Sequence, residues 1–187
     1  MAIKYRILQP IVKLINKVYV CPKYEGLENI PKKGAAILAG NHVHLLDPGP
    51  LMAATDREIH FLAKTSLFKF PQGLIFRNMG LIPVKRDKRD VKAYRGAMDY
   101  LKDGELIGIY PEGTRERGRG LLPFRKGAVK MAQKSGAPII PFAIIGRYRP
   151  FRKGVVIRFG KPYYVKKHLS KANDELQSLI KELIEKK

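Results

Sequence analysis

Two imidazoles and a carboxylate stand close together in Gly40-Asn41-His42-Val43-His44-Leu45-Leu46-Asp47-Pro48, directly after the apolar run Ala35 to Ala39. An imidazole held by a carboxylate is the minimum equipment for a general base near neutral pH. On a continuous helix the five-residue offset from His42 to Asp47 would turn one side chain about 140° from the other. The two therefore meet only across a turn. Asp47-Pro48 predicts one, reading as an N-cap followed by a first-turn proline. The plainer alternative is that Asp47 only caps that helix and His42 is an ordinary loop residue.

Two further loops follow apolar runs in the same way. Pro111-Glu112-Gly113-Thr114-Arg115 comes after Leu106 to Tyr110, and Lys85-Arg86-Asp87-Lys88-Arg89 comes after Leu81 to Val84. A glycine flanked by a hydroxyl and a guanidinium can bring backbone N–H groups and a fork of donors onto a phosphate. Open α/β sheets place ligands at the carboxyl ends of their strands, where all these segments stand.

The elements that must carry these loops alternate along the chain. Short apolar runs at Ala35 to Ala39, Ile59 to Ala63, Leu81 to Val84, Leu106 to Tyr110, Ile139 to Ile145 and Val155 to Phe159 suit buried strands. Helical spacing recurs in Val91, Tyr94, Ala97, Met98 and Leu101, in Ala128, Val129, Met131 and Ala132, and from Leu169 to Lys187. The expected fold is α/β: a single-domain layered sandwich with a mostly parallel or mixed central sheet flanked by helices.

Residues 1–20 form a separate N-terminal amphipathic segment ahead of a domain spanning 21–187. Lys4, Arg6, Lys13 and Lys17 interrupt its apolar residues too often for a bilayer span. At 100° per residue, Arg6, Gln9, Lys13, Asn16 and Lys17 share one face. Ile3, Ile7, Leu8, Ile11, Leu14, Ile15, Val18 and Tyr19 occupy the opposite arc. Pro10 must kink this helix or begin a second one. Such a helix either lies in the plane of a membrane or docks its apolar face on the domain, and the overall charge favours the membrane.

That charge is large. The 187 residues hold 37 Lys plus Arg against 16 Asp plus Glu, a formal net charge of +21, which seeks polyanions such as anionic lipid, nucleic acid or phosphorylated substrates. The single cysteine, Cys21, excludes an intramolecular disulfide, and no ligand spacing implies a metal. Arg147, Arg149, Arg152 and Lys153, interleaved with Tyr148 and Phe151, suit anionic headgroups or a single-stranded nucleic acid.

Four blocks then carry a resemblance. Asn41-His42-Val43-His44-Leu45-Leu46-Asp47 resembles the Asn-His-x-Ser-x-x-Asp signature of the glycerolipid acyltransferase family. Gly80-Leu81-Ile82-Pro83-Val84-Lys85-Arg86 is similar to its second block, and Tyr110-Pro111-Glu112-Gly113-Thr114-Arg115 to its third. Ala137-Pro138-Ile139-Ile140-Pro141-Phe142-Ala143 resembles the fourth. All four occur in family order, and within the family the chain most resembles the bacterial lysophosphatidic acid acyltransferases. The departure is His44, where the family usually has Ser.

The resemblance implies acyl transfer from an acyl-CoA or acyl carrier protein thioester to the glycerol hydroxyl of lysophosphatidic acid, giving phosphatidic acid. In that reading His42 is the base and Asp47 fixes its tautomer. Arg86, Glu112, Gly113, Thr114 and Arg115 bind the acceptor phosphate, with Lys64 a further phosphate candidate. Pro138 and Pro141 form a wall at the acyl or thioester end, or simply shape the sheet. His44 contacts substrate or lies outside the turn.

No Gly-x-Ser-x-Gly elbow is present, so direct transfer without a covalent acyl-enzyme is expected. No permanently bound cofactor is implied. The expected location is the cytoplasmic face of the cell membrane, peripheral or monotopic. The alternatives are a relative acting on glycerol-3-phosphate or another lysophospholipid and, from a different class, a non-catalytic basic nucleic-acid-binding module.

Overall fold

The computed structural model of the chain describes residues 3–69, 73, 76–77, 79–85, 90–116, 118–166 and 168–186. Its centre is a seven-stranded sheet of β1 (Lys23–Glu25), β2 (Ala36–Gly40), β3 (Ile59–Lys64), β4 (Ile82–Val84), β5 (Leu106–Ile109), β6 (Ile139–Gly146) and β7 (Val155–Phe159). The spatial order is β1-β7-β6-β2-β5-β3-β4. Every pairing is parallel except β6 with β7, so the sheet is mixed, as expected.

Helices cover both faces, and the chain's apolar pattern explains the layering. Successive side chains of a strand point to opposite faces. Ile37 and Ala39 of β2 join a buried cluster with Ala97, Val129, Met131 and Leu176. These come from α3 (Val91–Lys102), α4 (Gly127–Ser135) and α5 (Leu169–Glu185). Ala36 and Leu38 join the other cluster with Tyr5, Leu51, Met52, Phe61 and Phe142. There α1 (Ile3–Ile15) and α2 (Pro48–Ala53) form the cover. A strand buried on both sides reads as an unbroken apolar run, which is why β2 is plain in the sequence.

The expected strand boundaries shift by a residue or two. The exception is β1, a charged three-residue edge strand with no apolar run to betray it. The helix α1 runs through Pro10 as one element and continues as a π-helical turn over Asn16–Val20.

Its orientation reverses the simplest docking expectation. Tyr5, Gln9, Asn16 and Val20 are buried against the domain. Gln9 Nε2 donates to the Thr55 carbonyl at 2.8 Å, and Lys13 pairs with Asp56. Ile7, Ile11, Leu14, Ile15 and Val18 are each more than half exposed. A largely polar arc docks, and the apolar arc faces outward. No helix among the described residues is long and apolar enough to cross a membrane.

Candidate active site

Strands β6, β2, β5, β3 and β4 are contiguous and parallel, so their carboxyl ends lie along one edge of the sheet. The His42 turn, the 110–116 loop, Lys64, Lys85 and the loop after Gly146 all emerge there. Asn41 starts the divergence. Its side chain takes over the ladder where β2 ends, donating to the Ile144 carbonyl at 2.9 Å and accepting from the Ile144 amide at 2.7 Å. The chain is thus pinned to β6 for one more residue before it turns. Gly40 permits the close packing, since a Cβ there would stand 2.4 Å from the Phe142 ring.

The turn brings His42 and Asp47 together, with Nδ1 and Oδ2 2.7 Å apart. The same Oδ2 accepts from the amides of Val43 at 2.8 Å and His44 at 2.9 Å, and Oδ1 accepts from the Tyr148 hydroxyl at 2.7 Å. Asp47 is fully buried. Its φ and ψ are helical and its side chain makes no cap bond, so Asp47 does not act as the side-chain cap that Asp47-Pro48 predicts. The carboxylate instead turns back onto the residues before it.

Amides can only donate, so Oδ2 is an unprotonated acceptor and Nδ1 of His42 carries the proton. In the neutral form of the ring the lone pair then sits on Nε2, the arrangement a base requires. The imidazole also stacks on Tyr110, with ring centroids 4.1 Å apart.

The 110–116 loop holds the turn from the other side. Glu112 Oε1 accepts from the His42 amide at 2.9 Å, and Oε2 accepts from the Leu122 amide at 2.9 Å. The Glu116 amide donates to the His42 carbonyl at 2.9 Å. Burial pushes the Glu112 carboxyl above the usual carboxylate range, while the two amides pull it back down. Glu112, expected beside phosphate, is buried and committed to these amides.

Gly113 has φ +70°, and a Cβ there would stand 2.9 Å from Nε of Arg125. The guanidinium thus lies against a bare stretch of loop backbone. Thr114 is exposed and Arg115 half-buried in the same loop. Lys64 is exposed at the end of β3, along the same edge. Arg86 lies outside the described residues.

Two expected residues stand elsewhere. Pro138 precedes β6 at the opposite end of the sheet, its carbonyl accepting from the Ile37 amide at 2.9 Å. Pro141 is buried in mid-strand, paired in register with Ala39. His44 lies on the outer, exposed side of the turn, its ring stacked on Tyr148 at 4.7 Å between centroids. Tyr148, Tyr110 and Arg125 were not among the residues singled out for the site. Tyr110 opens the third block, Tyr148 lies in the basic aromatic stretch, and Arg125 forms a basic pair with Lys126 directly before α4, but none of these signals marks a partner of His42 or Asp47.

Among the described residues no group of three or more His, Cys, Asp or Glu could hold a metal ion. What the arrangement supplies is an imidazole whose Nδ1 proton is directed onto Asp47, beside basic side chains, on a sheet edge that also carries exposed Leu45 and Leu46.

Residues 21–145 match the family model described as Acyltransferase. The chain is similar to the 1-acyl-sn-glycerol-3-phosphate acyltransferase of Borreliella burgdorferi, 35% identical over 175 residues that cover 87% of this chain and 69% of that protein. The Bacillus subtilis protein of the same description is 28% identical over 193 residues, covering 96% of each. Among solved structures, the 1-acyl-sn-glycerophosphate (LPA) acyltransferase PlsC from Thermotoga maritima superposes with a TM-score of 0.78. It is 25% identical and covers 97% of this chain and 80% of that one.

Proposed function

As the chain belongs to the acyltransferase family, we propose that it transfers an acyl chain from a thioester donor to the free hydroxyl of 1-acyl-sn-glycerol-3-phosphate (lysophosphatidic acid), giving phosphatidic acid. The acceptor follows the relatives' activity. The observation that carries the chemistry is the buried bond from His42 Nδ1 to Asp47 Oδ2, which leaves Nε2 as the base nitrogen.

In the reaction, Nε2 takes the proton of the acceptor hydroxyl as its oxygen attacks the thioester carbonyl. The tetrahedral intermediate collapses, the C–S bond breaks, and the departing thiolate receives the proton back from the imidazolium. Asp47 stabilises that imidazolium, and general base catalysis of this kind contributes roughly 10²–10⁴-fold. The donor is acyl-CoA or an acyl carrier protein thioester, and the basic surface suits either acidic carrier. The acceptor phosphate is bound by Arg115, Arg86 and Lys64, with Arg125 added by its place over Gly113. Gly113 and Thr114 supply the close backbone and hydroxyl, while Glu112 holds the His42 amide.

The substrate is an amphiphile, and the enzyme meets it at an anionic membrane surface on the cytoplasmic side. The outward apolar arc of α1 supports this, because water is a poor partner for Ile7, Ile11, Leu14 and Val18. Phe151, 67% exposed in the loop after β6, extends that surface to the catalytic edge. Its amide donates to the Tyr19 carbonyl at 2.8 Å.

The test is thioester-dependent acylation of lysophosphatidic acid in detergent micelles, with glycerol-3-phosphate as the competing acceptor. Wild type is expected to form phosphatidic acid and His42→Ala to form none. Full activity in His42→Ala would remove the base assignment. Product from glycerol-3-phosphate alone would remove the acceptor.

A further inference from the structure

Tyr148 enters the site from the loop between β6 and β7, 101 residues away from the carboxylate it touches. Its hydroxyl is 2.7 Å from Asp47 Oδ1, the oxygen that His42 does not use. With three donors already on Oδ2, this bond is what satisfies Oδ1. The phenol is fixed as a donor, since burial first, and then the charge of Asp47, raises its pKa well above the ordinary value. The loop is closed across its ends and tied down near its middle. The Arg147 amide donates to the Gly154 carbonyl at 2.9 Å, and the Phe151 amide reaches Tyr19. The ring of His44 lies over Tyr148, stacked at an interplanar angle of 29°.

We propose that Tyr148 is a positioning residue for the acyl transfer: its hydroxyl fixes Asp47, and the stacked ring of His44 keeps Tyr148 in that pose. This rests on the general-base reading of His42 and assigns a use to the second histidine. A buried carboxylate that loses a donor from one oxygen becomes more basic and draws harder on the donors left on the other. Loss of the Tyr148 hydroxyl therefore concentrates the carboxylate's charge on the Oδ2 side, strengthens the bond to Nδ1 and lets the imidazole shift. Catalysis is sensitive to displacements of that size, whereas the acceptor phosphate is bound elsewhere.

The experiment uses the full chain in detergent micelles with lysophosphatidic acid and an acyl thioester. Tyr148→Phe keeps the ring and loses the donor. Its kcat is expected to fall about tenfold, with KM for lysophosphatidic acid within about twofold of wild type. The downfield ¹H resonance of the His42 Nδ1 proton, assigned by its disappearance in His42→Ala, moves further downfield. His44→Ser removes the stack and keeps the main-chain donor. It gives a smaller loss, about threefold in kcat, with a displacement of the resonance in the same direction.

An unmoved resonance in Tyr148→Phe overturns the proposal whatever happens to the rate. So does an unchanged kcat, and so does a rise in KM alone, which would mark Tyr148 as a substrate contact. Should Tyr148→Phe not fold, the resonance in His44→Ser decides. If wild type does not acylate lysophosphatidic acid, the acceptor reading fails, while the resonance still reports whether Tyr148 acts on the pair.

Discussion

Asp47 accepts hydrogen bonds from His42, Val43, His44 and Tyr148 while fully buried, so a change there disturbs a whole set of donors at once. Asp47→Asn keeps the volume but sets an amide NH₂ against groups that themselves donate. It is expected to cost roughly 10²–10⁴-fold in kcat and about 1–3 kcal/mol of stability, read from steady-state rates and denaturant melts of one preparation. Tyr110 behaves oppositely. Its ring stacks on His42, but its buried hydroxyl has no hydrogen-bond partner among the described residues. Tyr110→Phe therefore keeps kcat within about twofold and raises Tm, because an unpaired buried hydroxyl is a net cost. A lower kcat with unchanged Tm would show that the hydroxyl does chemistry. This contrast explains what was legible in the sequence. The meeting of His42 with Asp47 across a turn is read from residue type and local spacing. Tyr148 is distant in sequence from Asp47, and a tyrosine has no spacing rule that marks it as a carboxylate's partner. Glu112 was legible as a site residue, but its direction was not, since whether a carboxylate faces phosphate or amides is decided by the loop's path.

At the scale of elements, strands buried on both faces were readable because burial leaves no room for polar residues, as in Ala36–Gly40. The edge strand β1 was not, because only Tyr24 of its three residues packs on the core and charged side chains flank it. Glu25 of β1 receives the Arg158 Nε of β7 at 2.6 Å, and Arg158 also donates to the Leu183 and Lys186 carbonyls at the end of α5. The bonds from Lys23 and then Arg158 lower the Glu25 carboxyl from 4.5 to about 2. A depressed carboxylate contributes stability that is present above its unfolded pKa and lost as pH falls through the folded one. The stability gap between wild type and Glu25→Gln is therefore expected to be constant above pH 4.5 and to close as pH falls toward about 2. Thermal melts across that range check it, and a gap that persists at the acid end sinks the assignment. The amphipathicity of α1 was likewise legible, but which arc docks was not. Helical periodicity finds two faces without saying which meets protein; Gln9 and Lys13 find partners on the domain, and Asn16 packs against Gly49, which only the fold reveals. Replacing Ile7, Ile11 and Leu14 by Ser is expected to lower sharply the sedimentation with neutral phosphatidylcholine vesicles while leaving Tm in detergent-free buffer unchanged, since those side chains are exposed there. Lost stability without lost vesicle binding would reverse the roles of the two arcs.

For the molecule as a whole, the proposed membrane contact draws on two forces, and salt separates them. The net charge of +21 acts over a screening length of about 10 Å at 0.1 M salt and about 3 Å at 1 M. Basic residues near an anionic surface contribute about 1 kcal/mol each at low salt. The apolar arc of α1 and Phe151 is indifferent to screening. Vesicles containing phosphatidylglycerol should therefore bind the chain strongly at low salt and less so at 1 M, with a residue of binding that salt does not remove. Neutral phosphatidylcholine vesicles should show only that residue. Replacing Arg149, Arg152 and Lys153 by Gln should lower the salt-sensitive part and leave the residue intact, because these side chains are exposed beside Phe151 without belonging to its apolar contact. A nucleic-acid-binding module of the same charge predicts a different pattern: oligonucleotides preferred over vesicles, and binding lost almost completely at 1 M salt. The comparison thus tests the membrane through the part of the attraction that charge alone cannot supply. It also ties that part to the sheet edge where the loop bearing Phe151 and Tyr148 meets the turn of His42 and Asp47.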